Sequence, residues 1–301
     1  MIGLAEATLL QGFALALLVL GLAISFRFLD FPDLTIDGSF VLGAATGAHA
    51  IRIGVPVTVA VLLAVIAGFV AGCCTGILHS RFRMSKLLSG ILMMIALYSI
   101  NFRVMGASNL SLLQNKTLPD YFSKFLGLGT LGIIIFFGVC AVLAKLSLDF
   151  FLKSEWGSVL RTVGDNEILA RSLGFSTNRM KILGLGLANG LVAFSGTLVS
   201  QYQGFADISM GVGMIVVGVA SLIMGEAILQ TMPRKLRGSS MVEQRTTAAL
   251  IGALVYQLIV NVTLRLGIAP TDLKLITALL VIIAVLVGRS RGYAFAGIDR
   301  Y

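Results

Sequence analysis

Long apolar runs alternate with short polar segments from one end of the chain to the other. A helix needs ~20 mostly apolar residues to cross a bilayer. Runs of that kind fall at 4–26, 34–51, 55–78, 86–104, 126–149, 181–203, 210–229, 247–266 and 272–288. The pattern predicts an all-α, polytopic transmembrane helix bundle of about nine spans, or eight to ten if a segment is broken or re-entrant. Residues 1–301 read as a single membrane domain, and the polar stretch 150–180 within it is long enough to fold outside the bilayer.

One phrase is written twice. Residues 31–38 read FPDLTIDG and residues 205–212 read FADISMGV, and each opens a Gly-rich apolar run. Asp33 or Thr35, and Asp207 or Ser209, suit the first position of a helix, where a side-chain oxygen accepts from exposed backbone N–H groups. Capping accounts for the acid and the hydroxyl but not for the Phe before them or the glycines after, so an internal repeat is the fuller reading. Gly68, Gly72 and Gly76 line one face of the third run, and Gly186 and Gly190 lie on the sixth. Small residues at this spacing let helices approach closely in lipid.

Composition and charge narrow the class. Apolar residues make up 57% of the chain and charged residues 12%, against ~45–50% and ~25% in soluble domains. The chain is therefore an integral membrane protein. Its net charge of +9 suggests nucleic acid until the basic residues are located. They cluster between apolar runs, in RFRMSK at 81–86, from Arg161 to Lys181, in RKLR at 234–237 and in RSR at 289–291. That is the signature of cytoplasmic loops, not of a nucleic-acid surface.

Arg27 follows the first run and no Lys or Arg precedes it, unlike a cleavable signal. This places the N-terminus outside and, after nine crossings, the C-terminus in the cytoplasm. FPDLTIDG and FADISMGV then enter the membrane from opposite sides, as in an inverted repeat, the arrangement of carriers that open alternately to each side.

The stretch from Ser154 to Leu183 carries a short helix over 166–173, capped by Asp165 and ended at Gly174, which suits a left-handed backbone. Ser176 or Thr177 is expected to cap the span that follows. Ile168, Leu169 and Leu173 share one side. Two turns are too few to persist alone in water, so this helix must pack on the membrane domain or on another protein. A helix so placed suits the transmission of movement from a soluble partner to the spans it joins.

Three separated motifs, in order, carry a resemblance across nearly the whole chain. They are LDFPDLTIDGSF near the N-terminus, RTVGDNEILARSLGFSTNRMKILGLGLANGLVAFSGTLVSQYQGFADISMGVG in the centre and LRLGIAPTDLKLITALLV near the C-terminus. The sequence resembles permease subunits of ATP-binding-cassette importers, of the branched-chain amino acid and ribose class, with an amino-acid-like subgroup nearest. The resemblance implies a non-catalytic subunit in a bacterial inner membrane. It implies a separate ATPase that binds the ATP and Mg, an extracytoplasmic substrate-binding protein and a second permease copy. In such families the central loop touches the ATPase, a role that falls here on Arg161, Gly164, Asp165, Asn166, Ala170 and Gly174. The stretch RGSSMVEQRTT at 237–247 is more polar than the resemblance leads one to expect.

No GxxxxGK[ST] loop or HExxH is present, and no GxSxG comes with a plausible acid and base. Cys73, Cys74 and Cys140 lack the spacing of a metal or disulfide framework, and His49 and His79 sit near span ends. No metal and no cofactor is expected in this chain. Polar residues inside spans usually face a cavity or another helix. On that basis Tyr98, Asn101, Arg103, Asn189, Gln201 and Gln203 are candidates for a substrate pathway, while Glu226 suits pairing with an Arg or Lys. Two further functions compete with the importer permease. A self-sufficient secondary transporter would commonly keep ionisable groups near the midplane, whereas charge here sits at span ends, and an intramembrane enzyme lacks a catalytic set. The resemblance favours a small amino-acid-like solute, an aromatic one included.

Overall fold

The structure is a computed structural model that describes residues 3–231, 240–267, 272, 273, 275–279 and 282. Eleven helices and two short strands follow one another among them. α1 (Leu4–Ala23) continues into a π-helical turn, Ile24–Phe28. After it come α2 (Thr35–Arg52), α3 (Val57–Ser80), α4 (Lys86–Met105), β1 (Asn109–Ser111), α5 (Leu118–Leu126) and α6 (Thr130–Lys153). α7 (Glu155–Asp165) and α8 (Glu167–Ser172) make up the polar stretch. α9 (Thr177–Gln203), β2 (Phe205–Asp207), α10 (Met214–Thr231) and α11 (Met241–Arg265) complete the order.

Seven of these helices are long and apolar enough to cross a membrane, so the chain is a multi-pass membrane protein. The expected run at 34–51 forms α2, which is not among the seven. It sits inside the bundle with 14 of its 18 residues buried, and it is rich in Gly, Ala, Ser and Thr rather than in lipid-facing aliphatics. Most of the run at 272–288 lies outside the described residues, as do the basic clusters at 234–237 and 289–291. Apolar side chains along α3, α4 and α6 point outward, among them Leu62, Ile66, Ile95 and Leu143. Such exposure would cost solubility in water and is the favourable state in lipid.

The repeated phrase is a structural repeat. A helical element of 25 residues, an Asp-closed turn, a helix of 18 and one of 24 (α1, α2, α3) recur as helices of 27, 18 and 25 (α9, α10, α11). Asp33 Oδ1 accepts from Thr35 N at 2.9 Å, and Asp207 Oδ1 accepts from Ser209 N at 2.8 Å. Phe31 and Phe205 are 174 positions apart, and the same offset carries Ala14 to Ala188 and Gly21 to Ser195. Ser195 Oγ donates to Ala14 O at 2.7 Å, while a Cβ on Gly21 would lie 2.5 Å from Ala188 O. Each copy thus presents to the other the surface that it receives, as across a two-fold axis. Because residue 14 meets 195 and residue 21 meets 188, α1 and α9 run in opposite directions, and the repeat is inverted.

The glycines of α3 serve close packing. A Cβ on Gly72 would stand 2.1 Å from Leu185 O, and one on Gly68 would stand 2.5 Å from Asn189 O. α2 runs alongside α9 in the same direction, with Gly43 against Ala193 and Gly47 against Thr197. The helix ends therefore sort onto two faces. One carries the starts of α1, α3 and α6 and the ends of α2, α4, α9 and α11. The opposite face carries Arg27, the 81–86 turn, α7, α8 and the starts of α9 and α11. On the first face β1 and β2 pair antiparallel, Leu110 opposite Ala206.

Candidate translocation and docking sites

The repeat brings two helix starts into the body of the bundle. Residues 29–34 turn back from the π-helical end of α1 and begin α2, where Thr35 Oγ1 meets Thr75 Oγ1 of α3 at 2.8 Å. Residues 208–213 turn back from β2 and begin α10. The start of α10 is held by α2, since Asp37 Oδ2 accepts from Gly213 N at 3.0 Å and Oδ1 from Ile215 N at 2.8 Å. Free N–H groups at a helix start carry partial positive charge, which a carboxylate satisfies. Gly211, the repeat counterpart of Asp37, packs on it so closely that a Cβ would stand 2.1 Å from Asp37 O. The local two-fold axis thus passes between them.

Beside this junction lies a cavity of about 360 Å³. Leu15, Phe40, Met210 and Met214 form its apolar wall, and Gln11, Tyr202, Gln203 and Gln257 bring polar groups to it. Gln257 Nε2 donates to Gln11 Oε1, tying α11 to α1. The volume falls within the ordinary range for small-molecule sites, about 300–1,000 Å³.

The sequence-predicted pathway residues do not converge here. Gln203 lines the cavity. Gln201 is buried, is not part of the lining, and accepts from Leu118 N at 3.0 Å at the start of α5. Asn189 is fully buried, with Nδ2 donating to Asp33 Oδ2 at 2.7 Å and to Leu185 O at 2.9 Å. Asn101 is buried and donates to Gly38 O at 3.0 Å. Tyr98 and Arg103 point away from the bundle on the exposed side of α4. Asn101 and Asn189 therefore join helices, and the amides on the cavity wall from α1 and α11, Gln11 and Gln257, were not singled out. Their signal was faint: one Gln in each of two long apolar runs.

At the opposite face Glu226 pairs with Arg27 at 2.5 Å, as its type suggested. Arg245 Nη1 donates to Arg27 O at 2.7 Å and its guanidinium lies over the Phe28 ring at 5.4 Å. The polar stretch 237–247 finds its reason here. Ser240 caps α11, Thr246 Oγ1 donates to Asp149 Oδ1 at 2.6 Å, and Glu243 pairs with Lys153, so its residues from 240 onward join α11 to α1 and α6.

α7 and α8 sit on the same face. Ser154 caps α7, and Asn166, rather than Asp165, caps α8, accepting from Leu169 N at 3.0 Å. Asp165 is instead the last residue of α7, one position too early. Ser176 precedes α9 without a side-chain cap. Gly174 ends the turn with φ +86°, where a β-branched residue is disfavoured. Gly164 packs on Phe28 O, which a Cβ would approach to 2.0 Å, and Arg161 donates to Ser158 Oγ at 3.0 Å. Ala170 is fully buried against Val163 and Met180. It faces the bundle, which corrects the expectation that it meets a partner; a small residue among larger ones marks the inner side of so short a helix. Ile168 at 82% exposure, Leu173 at 60%, Leu169 and Phe175 form an apolar crest pointing away from the bundle.

The comparisons with known proteins bear on this arrangement. The model of the family described as branched-chain amino acid transport system / permease component matches residues 4–286. The chain belongs to that permease family. The permease is 39% identical over 272 residues to the tyrosine transport system permease protein of Clostridioides difficile (strain R20291), covering 90% of this chain and 87% of that one. An uncharacterized protein of Rickettsia prowazekii is 35% identical over 89% of the permease and 91% of its own length. The ribose import permease of Escherichia coli K12 is 23% identical over 86% and 77%. No solved structure matches the chain. Members of this family are transport subunits rather than enzymes, and among the described residues of the permease no group of His, Cys, Asp and Glu could hold a metal ion.

Proposed function

We propose that the permease is the membrane subunit of an importer that carries a small amino-acid-like solute inward, driven by a separate ATPase and supplied by an extracytoplasmic binding protein. The apolar crest of α8 carries the reading. A six-residue helix that turns Ile168, Leu169 and Leu173 outward has no reason to do so in water unless another protein covers them. The surrounding face carries Arg81, Arg83, Arg161, Arg171 and Arg179, which supports a cytoplasmic position for it and an external N-terminus. The sequence contains no nucleotide-binding loop, so ATP and Mg belong to the partner. ATPases of this kind act as a pair, and two copies of the permease would match them. The tyrosine permease among its relatives favours an aromatic amino acid, and the mostly apolar cavity with amides of Gln11, Gln203 and Gln257 on its wall suits such a solute.

Ile168→Glu tests the docking surface. The exposed site tolerates the substitution without harm to the bundle, whereas a desolvated carboxylate in an interface is costly. The ATPase is expected to copurify with the wild-type permease and to be lost from the variant. Full retention of the ATPase by Ile168→Glu rejects the reading of α8 as its contact. Uptake by vesicles holding the permease alone would identify a self-sufficient carrier.

A further inference from the structure

We propose that Lys181 and His79 are positioning residues that carry displacement of α8 into residues 29–34, so that the docking crest and the start of α2 move together. The inference rests on the reading of α8 as the ATPase contact. It begins with a buried charge. The Lys181 side chain is 8% exposed and donates to Glu167 Oε2 at 2.7 Å, while Glu167 Oε1 accepts from Arg171 Nη2 at 2.7 Å. An ammonium removed from water is strongly disfavoured unless it is paired and hydrogen-bonded. Lys181 therefore cannot let go of α8 without finding another anion.

Its inner contact is His79 Nε2, at 3.3 Å. His79 Nδ1 lies 2.8 Å from Met84 O. A carbonyl only accepts, so Nδ1 carries the hydrogen and Nε2 offers the lone pair that receives Lys181. The imidazole meets the Phe31 ring edge-on, with centroids 5.1 Å apart and planes at 81°. Phe31 is fully buried, and its N–H donates to Ser25 O at 2.8 Å, within the π-helical turn. Two residues later Asp33 closes the turn that starts α2 and accepts from Asn189. The segment is fixed on its other side by Lys86, which donates to Asp30 O at 2.5 Å, and Asp30 itself holds φ +49°. A non-glycine residue in that conformation persists only where its surroundings impose it. Direct contacts thus run from the crest-bearing helix to the start of α2 through three interior side chains, none of them exposed.

The test uses the permease assembled with its ATPase and binding protein in proteoliposomes, reading solute moved per ATP hydrolysed. Coupling free energies of this kind are about 1–3 kcal/mol, so Lys181→Met is expected to lower that ratio about tenfold while the ATPase stays bound. Lys181→Arg, which keeps the charge, is expected to retain most of it, a rescue that loss of bulk packing would not allow. Lys181→Met combined with Phe31→Leu should be no worse than the poorer single variant, because both cut one chain of contacts. Wild-type coupling in assembled Lys181→Met overturns the relay, as does equal loss in the Met and Arg variants with lowered thermal stability. If Ile168→Glu also fails to release the ATPase, the docking reading falls and the relay with it. If Ile168→Glu releases the ATPase and Lys181→Met couples normally, the relay alone falls.

Discussion

Asp37 ties the two copies of the repeat together, and removing it should loosen one from the other. Its carboxylate is half-buried and accepts from two backbone N–H groups at the start of α10. A desolvated N–H left without a partner costs about 1–3 kcal/mol. Two such groups, partly reached by water, place Asp37→Ala at about 2–3 kcal/mol, the lower part of the summed range. At roughly 2–4 °C per kcal/mol, that is a fall of about 4–12 °C in Tm. Asp37→Asn keeps one acceptor oxygen and should lose about half as much. Asp207→Ala removes three contacts, from Ser209 N, Ser209 Oγ and Asn109 Nδ2, in a solvent-facing turn on the first face. Water replaces them there, and the loss should stay within about 0.5 kcal/mol. The measurement is thermal unfolding of the three purified variants in one detergent, followed by loss of the monodisperse peak. Equal Tm values for Asp37→Ala and the wild type would refute the claim that α2 caps α10. A loss for Asp207→Ala as large as that for Asp37→Ala would show that burial does not set the scale.

Other consequences can be checked as directly. Gly72→Val places side-chain atoms where Leu185 O lies 2.1 Å from the Cβ position, so α3 and α9 must separate. The variant should be destabilised by about 1–3 kcal/mol or more, read as a lower Tm. For Glu167, burial opposes the charge, but contact with Lys181 and then Arg171 outweighs it and holds the carboxyl below its ordinary 4.5. A depressed acid contributes stability above its unfolded-state value and loses it as pH falls through the folded one. Protease cleavage within 166–176 should therefore rise only as pH drops below about 4.5 and should lose that dependence in Glu167→Gln.

The bundle was legible in the sequence because lipid imposes a simple rule on length and apolarity. The repeat was legible as well, since a turn that must start a helix inside the membrane uses the same Phe, Asp and hydroxyl each time. α2 was legible as a run but not as an interior helix, because a span packed among neighbours and one facing lipid differ only in how much small and polar residue they tolerate. Asn189 and Asn101 were legible only as buried polar residues: a polar side chain in a span must find a partner, and periodicity alone does not tell a cavity from the bonds these two make to Asp33 and Gly38. The Arg27–Glu226–Arg245 group joins residues about 200 positions apart, beyond any local pattern. For α8, the apolar side Ile168, Leu169 and Leu173 was visible from spacing. The inward turn of Ala170 and the cap at Asn166 depend on one residue of phase, which six residues scarcely fix.

The inverted repeat also bears on how the chain is threaded into a membrane. Five bundle helices, α1, α2, α3, α4 and α6, precede the copy that begins at α9, and an odd number of traverses delivers the second copy to the opposite leaflet. Turned upside down, such a fold comes close to superposing on itself, so helix packing gives a translocon little reason to prefer one way up. The preference resides in a few guanidinium and ammonium groups beside Arg27, at 81–86 and along α7 to α9. Charges of this kind set which way up a chain inserts, and deleting a single traverse such as α4 would bring the second copy in the same way up as the first, so that the two could no longer meet across a two-fold axis.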